Sequence, residues 1–268
     1  MKMISFTSGK GGVGKTSITC NTALALAQQG KRVLILDGDL GMSNVDIFFG
    51  IHPKKTLTDL INQENIQSCL TQVAQNVDLL AGGQGIQELN QLNAFQRREI
   101  INRLSDMKYM YDFLIIDTAP GLHDHILHLN AIADEVFVII TPDPSSFADS
   151  YALIKVLNQK YKMQNFSIIC NQVKDEKQGA NLYLRFADVV QQFLPVRISY
   201  KGTVPYDPQL KMLNQAQRLI VRQDPQAISS KSIRSISNEI NADLKKHKEK
   251  QPIRGSLEVL FRPASGHA

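Results

Sequence analysis

The chain has 268 residues, of which 43% are hydrophobic and 21% charged, and this composition excludes collagen, a coiled coil and intrinsic disorder. No run approaches the roughly 18 consecutive apolar residues of a membrane span, and the N-terminus lacks the apolar core of a signal peptide, so we expect a soluble cytoplasmic protein. The formal net charge is +5: residues 1–226 hold 22 Lys and Arg against 21 Asp and Glu, whereas residues 227–268 hold 8 against 4.

Short β-branched apolar runs alternate with longer amphipathic stretches, a pattern typical of βαβ units around a parallel sheet. The pattern predicts strands at 4–7, 32–36, 77–80, 111–116, 135–141, 166–171 and 196–204. It predicts helices at 16–29, 147–160, 179–193 and 228–245, and a mostly helical segment at 53–104 around the strand at 77–80. We therefore expect an α/β fold in which a mostly parallel, twisted sheet is flanked by helices on both faces.

The C-terminal end differs in composition from the rest of the chain. From residue 245 the sequence reads KKHKEKQP, which predicts a charged hinge. We expect one domain over residues 1–245, followed by a basic hinge and short tail over residues 246–268. The apolar stretch at 257–261 behind these lysines is compatible with weak membrane contact, and a solvated helix end explains the basic charge equally well.

The segment between the first strand and the first helix satisfies the P-loop pattern G-x-x-x-x-G-K-[ST]. In such a loop, backbone N–H groups turn inward around a phosphate chain, and the helix N-terminus adds its dipole. Lys15 would reach the β- and γ-phosphates, and the Thr16 hydroxyl would ligate Mg²⁺. We therefore predict a P-loop NTPase that binds ATP and Mg²⁺ through Gly9, Lys10, Gly11, Gly12, Val13, Gly14, Lys15, Thr16 and Ser17.

Carboxylates follow two of the other predicted strands. Asp117 follows YDFLII, which is how a Walker B aspartate is presented to the outer shell of Mg²⁺. Asp37 and Asp39 follow RVLIL, at the carboxyl end of a strand, where ligands bind in open α/β sheets. We expect these two acids to respond to the nucleotide, and the alternative is that either one caps a turn.

Lys10 is a second lysine that the general P-loop pattern does not require. Beside the phosphates of one subunit it would have no partner that Lys15 does not already supply. It has a role if it crosses to the nucleotide of a second subunit and neutralises charge at a dimer interface. With this lysine the loop resembles that of the MinD/ParA family of deviant-Walker-A ATPases, whose motif is K-G-G-x-G-K-[ST].

The resemblance to MinD/ParA ATPases implies a switch that hydrolyses ATP, a monomer without ATP and a sandwich dimer with it. Asp39 matches the switch I acid that positions the attacking water, so the implied catalytic residues are Asp39, Lys10 and Lys15. Residues 117–121 match switch II, and Asp117 and Asp39 would act on Mg²⁺ through water. The implied adenine contacts are Asn171, Pro205, Tyr206 and Asp207.

Several segments narrow the resemblance to the flagellar-number regulators of the FleN/FlhG family: residues 37–46, 49–51, 82–87, 149–155, 204–218 and 254–261. That family implies an antiactivator, which limits flagellar number by restraining the master transcription activator FleQ. It also implies a relationship with the GTPase FlhF at the cell pole.

The chain differs from the usual family sequence at two positions that bear on the rate of ATP hydrolysis. Gly38 replaces the usual alanine and is expected to loosen switch I. Pro120 removes an N–H donor near the γ-phosphate.

Two other functions fit parts of the sequence. One is a MinD/ParA-like ATPase that positions structures on membrane or DNA, although the near-neutral residues 1–226 argue against non-specific DNA binding. The other is a metabolic P-loop enzyme, for which no separate set of polar substrate residues is evident.

Three histidines lie close together after Asp117, at positions 123, 125 and 128. They lack the i, i+4 spacing of a helical zinc pair. Their role could be at an interface, in contact with solvent or at a metal ion.

Overall fold

Residues 1–39, 44–61, 65–82 and 102–244 are described by the structure, which is a computed structural model. Within them one sheet contains the strands β1 (Lys2–Thr7), β2 (Val33–Gly38), β3 (Leu70–Ala74), β4 (Val77–Leu80), β5 (Phe113–Thr118), β6 (Glu135–Ile140), β7 (Asn165–Val173) and β8 (Arg197–Pro205). Their spatial order is β3-β4-β2-β5-β1-β6-β7-β8. All neighbouring pairs are parallel except β3 and β4, which run antiparallel.

Helices cover both faces of this sheet, as the sequence predicts. One face packs against α1 (Lys15–Gln28), α2 (Val45–Phe49), α8 (Pro208–Gln215), α9 (Ile220–Gln223) and α10 (Ile228–Leu244). The other face packs against α3 (Leu57–Ile61), α4 (Ile66–Cys69), α5 (Asp124–Ala131), α6 (Pro144–Tyr161) and α7 (Glu176–Phe193). Residues 102–106 are also helical, and a 3₁₀ turn at Met107–Tyr109 precedes β5.

The central strands are buried on both faces. β2 directs Val33 and Ile35 into the layer that contains α1, and it directs Leu34 and Leu36 into the opposite layer. A parallel strand covered on both faces is therefore apolar at nearly every position. This is why the strands of the parallel sheet could be predicted from short apolar runs.

The helix that follows the P-loop is enclosed on almost every side. Twelve of the 14 residues of α1 are buried, because the helix packs between the sheet and α9 and α10. Its buried Asn21 is satisfied there: the side-chain oxygen accepts from the Val221 amide at 3.2 Å, and the side-chain amide donates to the Ser17 carbonyl at 2.8 Å. The position of α1, and with it the end of the P-loop, is therefore fixed by packing.

The prediction of a mostly helical segment over 53–104 is wrong at residues 70–74, which form β3. Among the described strands this edge strand pairs with β4 alone, through a turn in which Asn76 has φ 62°, in the left-handed region. Because its side chains are only partly buried, β3 lacks the alternation of apolar and polar residues that marks a strand in a sequence.

Several predictions concern residues outside the described ranges. They include the hinge and tail at 246–268 and parts of the segments that resemble FleN/FlhG proteins, namely residues 40–43, 83–87 and 254–261. Across the described ranges, the structure contains no helix with the length and apolar character needed to span a membrane.

Candidate functional site

The residues predicted to bind nucleotide lie at one edge of the sheet, where the parallel strands end. The P-loop leaves β1 and enters α1, for which Gly14 is the N-cap. Asp117 of β5 pairs in register with Phe6 of β1 on one side and with Asp37 of β2 on the other. Adjacent strands therefore deliver the loop and the predicted carboxylates to the same place.

Asp117 joins the P-loop to β5. Its carboxylate is 1% exposed and accepts hydrogen bonds from Lys15 Nζ at 3.2 Å, Thr16 Oγ1 at 2.7 Å and Thr19 Oγ1 at 2.8 Å. A carboxylate buried to this extent is tolerated only with charged or hydrogen-bonding partners. The residue predicted as a Walker B aspartate thus contacts the lysine and the threonine of the P-loop directly.

Two glycines of the loop are required by close packing. A Cβ at Gly9 would overlap the backbone of Asp149 in α6, and a Cβ at Gly14 would lie 2.5 Å from Asn171 Nδ2. Gly14 also has φ 88°, a conformation that glycine adopts without steric cost. Asn171 donates to the Val13 carbonyl at 2.6 Å. The backbone cradle is therefore held from outside by β7 and α6.

Lys10 lies on the surface and has a partner within its own subunit. Its Nζ is 2.8 Å from Asp143 Oδ2, and the two side chains are 39% and 47% exposed. Asp143 is the N-cap of α6, and its other oxygen accepts from the amide and the hydroxyl of Ser145. Lys10, and then Ser145, hold the pKa of the Asp143 carboxyl well below its usual range. The sequence did not predict this carboxylate partner within the same subunit, and the action of Lys10 across a dimer interface stays a prediction.

Asp37 is a capping residue. Its fully buried carboxylate accepts hydrogen bonds from the backbone amides of Asp39 at 3.1 Å, Asn44 at 3.2 Å and Val45 at 3.3 Å. Asp37 therefore caps α2 and ties together the two chain positions that flank residues 40–43. The sequence left two alternatives for Asp37, a response to the nucleotide or a capping role, and the capping role is confirmed. Asp39 is half-buried, and a catalytic role for it stays a prediction.

Gly38 allows β2 to approach β5 and α5 closely. A Cβ at this position would lie 2.6 Å from Leu129 Cδ1 and 2.9 Å from the Asp117 carbonyl oxygen. The glycine that we expected to loosen switch I is thus tightly packed against β5 and α5.

The turn that contains Pro120 is attached to the start of the P-loop. The Gly121 amide donates to the Ser8 carbonyl at 3.1 Å.

The predicted adenine contacts lie at the ends of β7 and β8: Asn171, Pro205, Tyr206 and Asp207. Tyr206 exposes 57% of its surface next to the strand end, whereas Asp207 is the N-cap of α8 and accepts from the Gln209 amide at 2.9 Å. The Ser17 hydroxyl lies 3.1 Å from Asn214 Oδ1, so it contacts α8. Of the four predicted adenine contacts, Asn171 bonds to the P-loop, through the Val13 carbonyl, and a role in adenine binding stays a prediction.

The three histidines after Asp117 do not form one cluster. The rings of His123 and His125 stack with centroids 5.9 Å apart, whereas buried His128 packs edge-on against Tyr161. Burial, with a smaller effect from His123, lowers the pKa of His125 from its ordinary value against the opposing effect of Asp39. Within the described ranges no group of three or more His, Cys, Asp or Glu could hold a metal ion.

Sequence reasoning missed two residues of this site, Thr19 and Asp143. Thr19 lies one helical turn after Lys15, on the same side of α1, which is the spacing that brings side chains together. Asp143 stands before Pro144, and an aspartate followed by proline is a typical helix start. The local role of each could have been predicted, but their contacts with Asp117 and Lys10 could not.

Comparisons with known proteins agree with this architecture. A family profile described as AAA domain (AAA_31) matches residues 1–170. The chain is 34% identical over 243 residues to the antiactivator FleN of Pseudomonas aeruginosa, covering 90% of this chain and 87% of FleN. It is 29% identical to the flagellum site-determining protein YlxH of Helicobacter pylori, covering 88% and 80%. MinD of Pyrococcus horikoshii, solved with Mg-ADP, has the same fold, with a TM-score of 0.71, 23% identity and coverage of 90% and 96%.

We expect Gly38→Ala to lower the free energy of unfolding by about 1–3 kcal/mol, the usual range for overpacking. The added methyl group must displace Leu129 or the backbone of β5. Gly11→Ala is the matched control, because among the described residues a Cβ there would meet Pro120 alone, at 3.7 Å. Denaturant unfolding of the purified variants measures both effects, and equal stability of the two variants would contradict the close packing.

Proposed function

The chain belongs to the AAA_31 family, the MinD/ParA type of P-loop ATPase, and we propose that it is an ATP-hydrolysing dimerisation switch that limits flagellar number. In this proposal the ATP-bound dimer restrains a FleQ-type activator of flagellar genes. The observation that carries the proposal is 34% identity to the antiactivator FleN across 90% of the chain. The contacts of Lys15 and Thr16 with Asp117 support the proposal, because they bring together the side chains that would bind phosphate and Mg²⁺.

The donor set at the P-loop fits ATP and Mg²⁺. Thr16 Oγ1 and Asp117 Oδ2, which are 2.7 Å apart, are hard oxygen ligands of the kind that Mg²⁺ prefers. When bound, Mg²⁺ neutralises charge on the phosphate oxygens. Thr16 would hold the ion directly, and Asp117 would hold it through water. Lys15, which now pairs with Asp117, would turn to the β- and γ-phosphates.

We assign Asp39 to the orientation of the attacking water. It follows the last residue of β2, beside the end of β5, and the residue is only half-buried. Asp37 is unsuited to this role because three backbone amides already bond to its carboxylate. Lys10 and Lys15 would stabilise the charge that develops on the transferred phosphoryl group.

Lys10 is placed to act on a second copy of the chain. Its ion pair with Asp143 is exposed, and exposed ion pairs contribute little net stability. Lys10 can therefore exchange Asp143 for the phosphates of a partner subunit without any rearrangement of the core. Through this exchange the chain would dimerise when ATP is bound and separate after hydrolysis.

The dimer would act by binding its partners. Likeness to FleN supports a FleQ-type enhancer-binding activator as one partner, and likeness to YlxH supports a role at the site of the flagellum, where the GTPase FlhF would be a second. We place the protein in the cytoplasm, with an ATPase domain over 1–245. The basic tail at 246–268 would make weak contact with the membrane or the cell pole. The near-neutral residues 1–226 argue against direct DNA binding.

A second candidate is an ATPase that positions cell structures on membrane or DNA. The fold shared with MinD favours it. This candidate requires strong ATP-dependent binding to liposomes or to DNA, whereas the antiactivator requires ATP-dependent binding to the transcription activator. Sedimentation with each partner in turn separates the two functions.

We expect Lys10→Ala to bind ATP with near wild-type affinity but to lose dimerisation and hydrolysis, because the cluster around Asp117 stays intact. Asp39→Ala should form a stable ATP dimer, since it lacks the carboxylate that orients the water. Light scattering with ATP and Mg²⁺ measures the dimer, and phosphate release measures turnover.

Lys231→Ala is the control for Lys10→Ala, because it removes an exposed lysine from α10, outside the P-loop. It should dimerise and hydrolyse ATP like the wild type. A Lys10→Ala protein that dimerises as well as the wild type would contradict the action of this lysine on a partner subunit.

Deletion of the gene from its parent organism tests the proposed function in the cell. We expect several polar flagella where the parent has one, counted by electron microscopy, and rescue by the wild-type gene but not by Lys10→Ala. Unchanged flagella together with minicells or lost plasmids would instead support the positioning function.

A further inference from the structure

The central strand β1 carries two hydroxyl side chains inside an otherwise apolar layer. Ser5 and Thr7 are both fully buried, and both bond to Asn130 of α5, which is also fully buried. Ser5 Oγ donates to Asn130 Oδ1 at 2.8 Å, and Asn130 Nδ2 donates to Thr7 Oγ1 at 3.2 Å and to the Ile126 carbonyl at 2.8 Å. The amide of Asn130 therefore uses its oxygen and both of its hydrogens.

The same network reaches β5 next to the nucleotide site. Thr118 Oγ1, which is fully buried, lies 3.0 Å from Thr7 Oγ1 and 3.1 Å from the Phe6 carbonyl oxygen. Thr7 is the last residue of β1 before the P-loop, and Thr118 follows Asp117 directly. The ends of the two strands that form the phosphate site are thus both tied to α5.

A buried polar network of this kind is not needed for stability alone. Replacing all partners by apolar groups of the same shape is often close to neutral, because burial of polar atoms offsets the gain from their hydrogen bonds. What a fully satisfied network adds is one defined arrangement of the elements that it joins. Here those elements are β1, β5 and α5.

We propose that Asn130 is a positioning residue that transmits the state of the nucleotide site to the start of α5. The inference rests on the proposed ATPase function. The chain from Thr118 to α5 passes through Gly121, whose amide bonds to the Ser8 carbonyl, and then exposes Leu122 and His123 at the surface. A displacement of Thr7 or Thr118 on phosphate binding would move α5 as a unit, and with it this exposed surface.

The test removes the hydroxyls without changing the shape of the core. Thr7→Val and Thr118→Val should keep the KM for ATP within about twofold of the wild type and lower kcat about tenfold or more, since neither side chain is assigned to bind nucleotide. Thr7→Ser keeps the hydroxyl and should keep kcat. The matched control is Ser237→Ala, which removes a buried hydroxyl that bonds within α10, to the Ile233 carbonyl. It should leave both constants unchanged.

Asn130→Leu removes the amide itself and should behave like the valine variants; if it fails to fold, Thr7→Val and Thr118→Val carry the test. Wild-type kcat in both valine variants would overturn the positioning role alone. A parallel loss of ATP affinity and kcat, or a Thr7→Ser protein as slow as Thr7→Val, would also overturn it, because either result indicates a merely structural role. A wild-type chain without ATPase activity would overturn the proposed function and this inference together.

Discussion

The pairing of one buried carboxylate with the P-loop is the interaction on which the site depends. Asp117 accepts hydrogen bonds from Lys15, Thr16 and Thr19, so β5 and the first turn of α1 cannot separate without leaving a charge buried and unpaired. Only an anion for Lys15 and a cation for Asp117 can replace this pairing at low cost. A nucleotide phosphate and Mg²⁺ are such a pair, so the contact that stabilises the site is also the one that nucleotide binding would exchange.

Two acids at one strand end differ in burial, and this difference agrees with a structural role for Asp37 and with the reactive role proposed for Asp39. Asp37 is fully buried and bonds to three backbone amides, which fixes both ends of the segment that follows β2. Asp39 donates its amide to that arrangement, and the residue itself is half-buried. The first acid therefore holds the second in place. A carboxylate that is both positioned and accessible is what the orientation of a water molecule requires.

The sequence was sufficient for the parts of the molecule that depend on local order. The P-loop, the parallel strands and Asp117 follow from spacing and apolar runs, and the structure places them as expected. The missed parts depend on contacts between distant positions. Lys10 pairs with Asp143, which is 133 residues away in the sequence, and Ser5 bonds to Asn130, which is 125 residues away. No local sequence pattern therefore predicts either contact. The edge strand β3 was missed because one partner strand and partial burial impose little order on its composition.

The two lysines of the loop differ in burial, and this difference sets the order in which they can change partners. Lys15 pairs with Asp117 in the interior, where a charge can leave one partner only if another replaces it. Lys10 pairs with Asp143 at the surface, where water and salt screen the attraction and exchange is cheap. In the proposed switch, the phosphates of the subunit's own nucleotide would therefore have to enter before the Lys15–Asp117 pair separates, whereas Lys10 could exchange Asp143 for a partner subunit at any stage. In the proposed switch, nucleotide binding would then precede dimerisation, and ATP in the P-loop would be the condition for assembly.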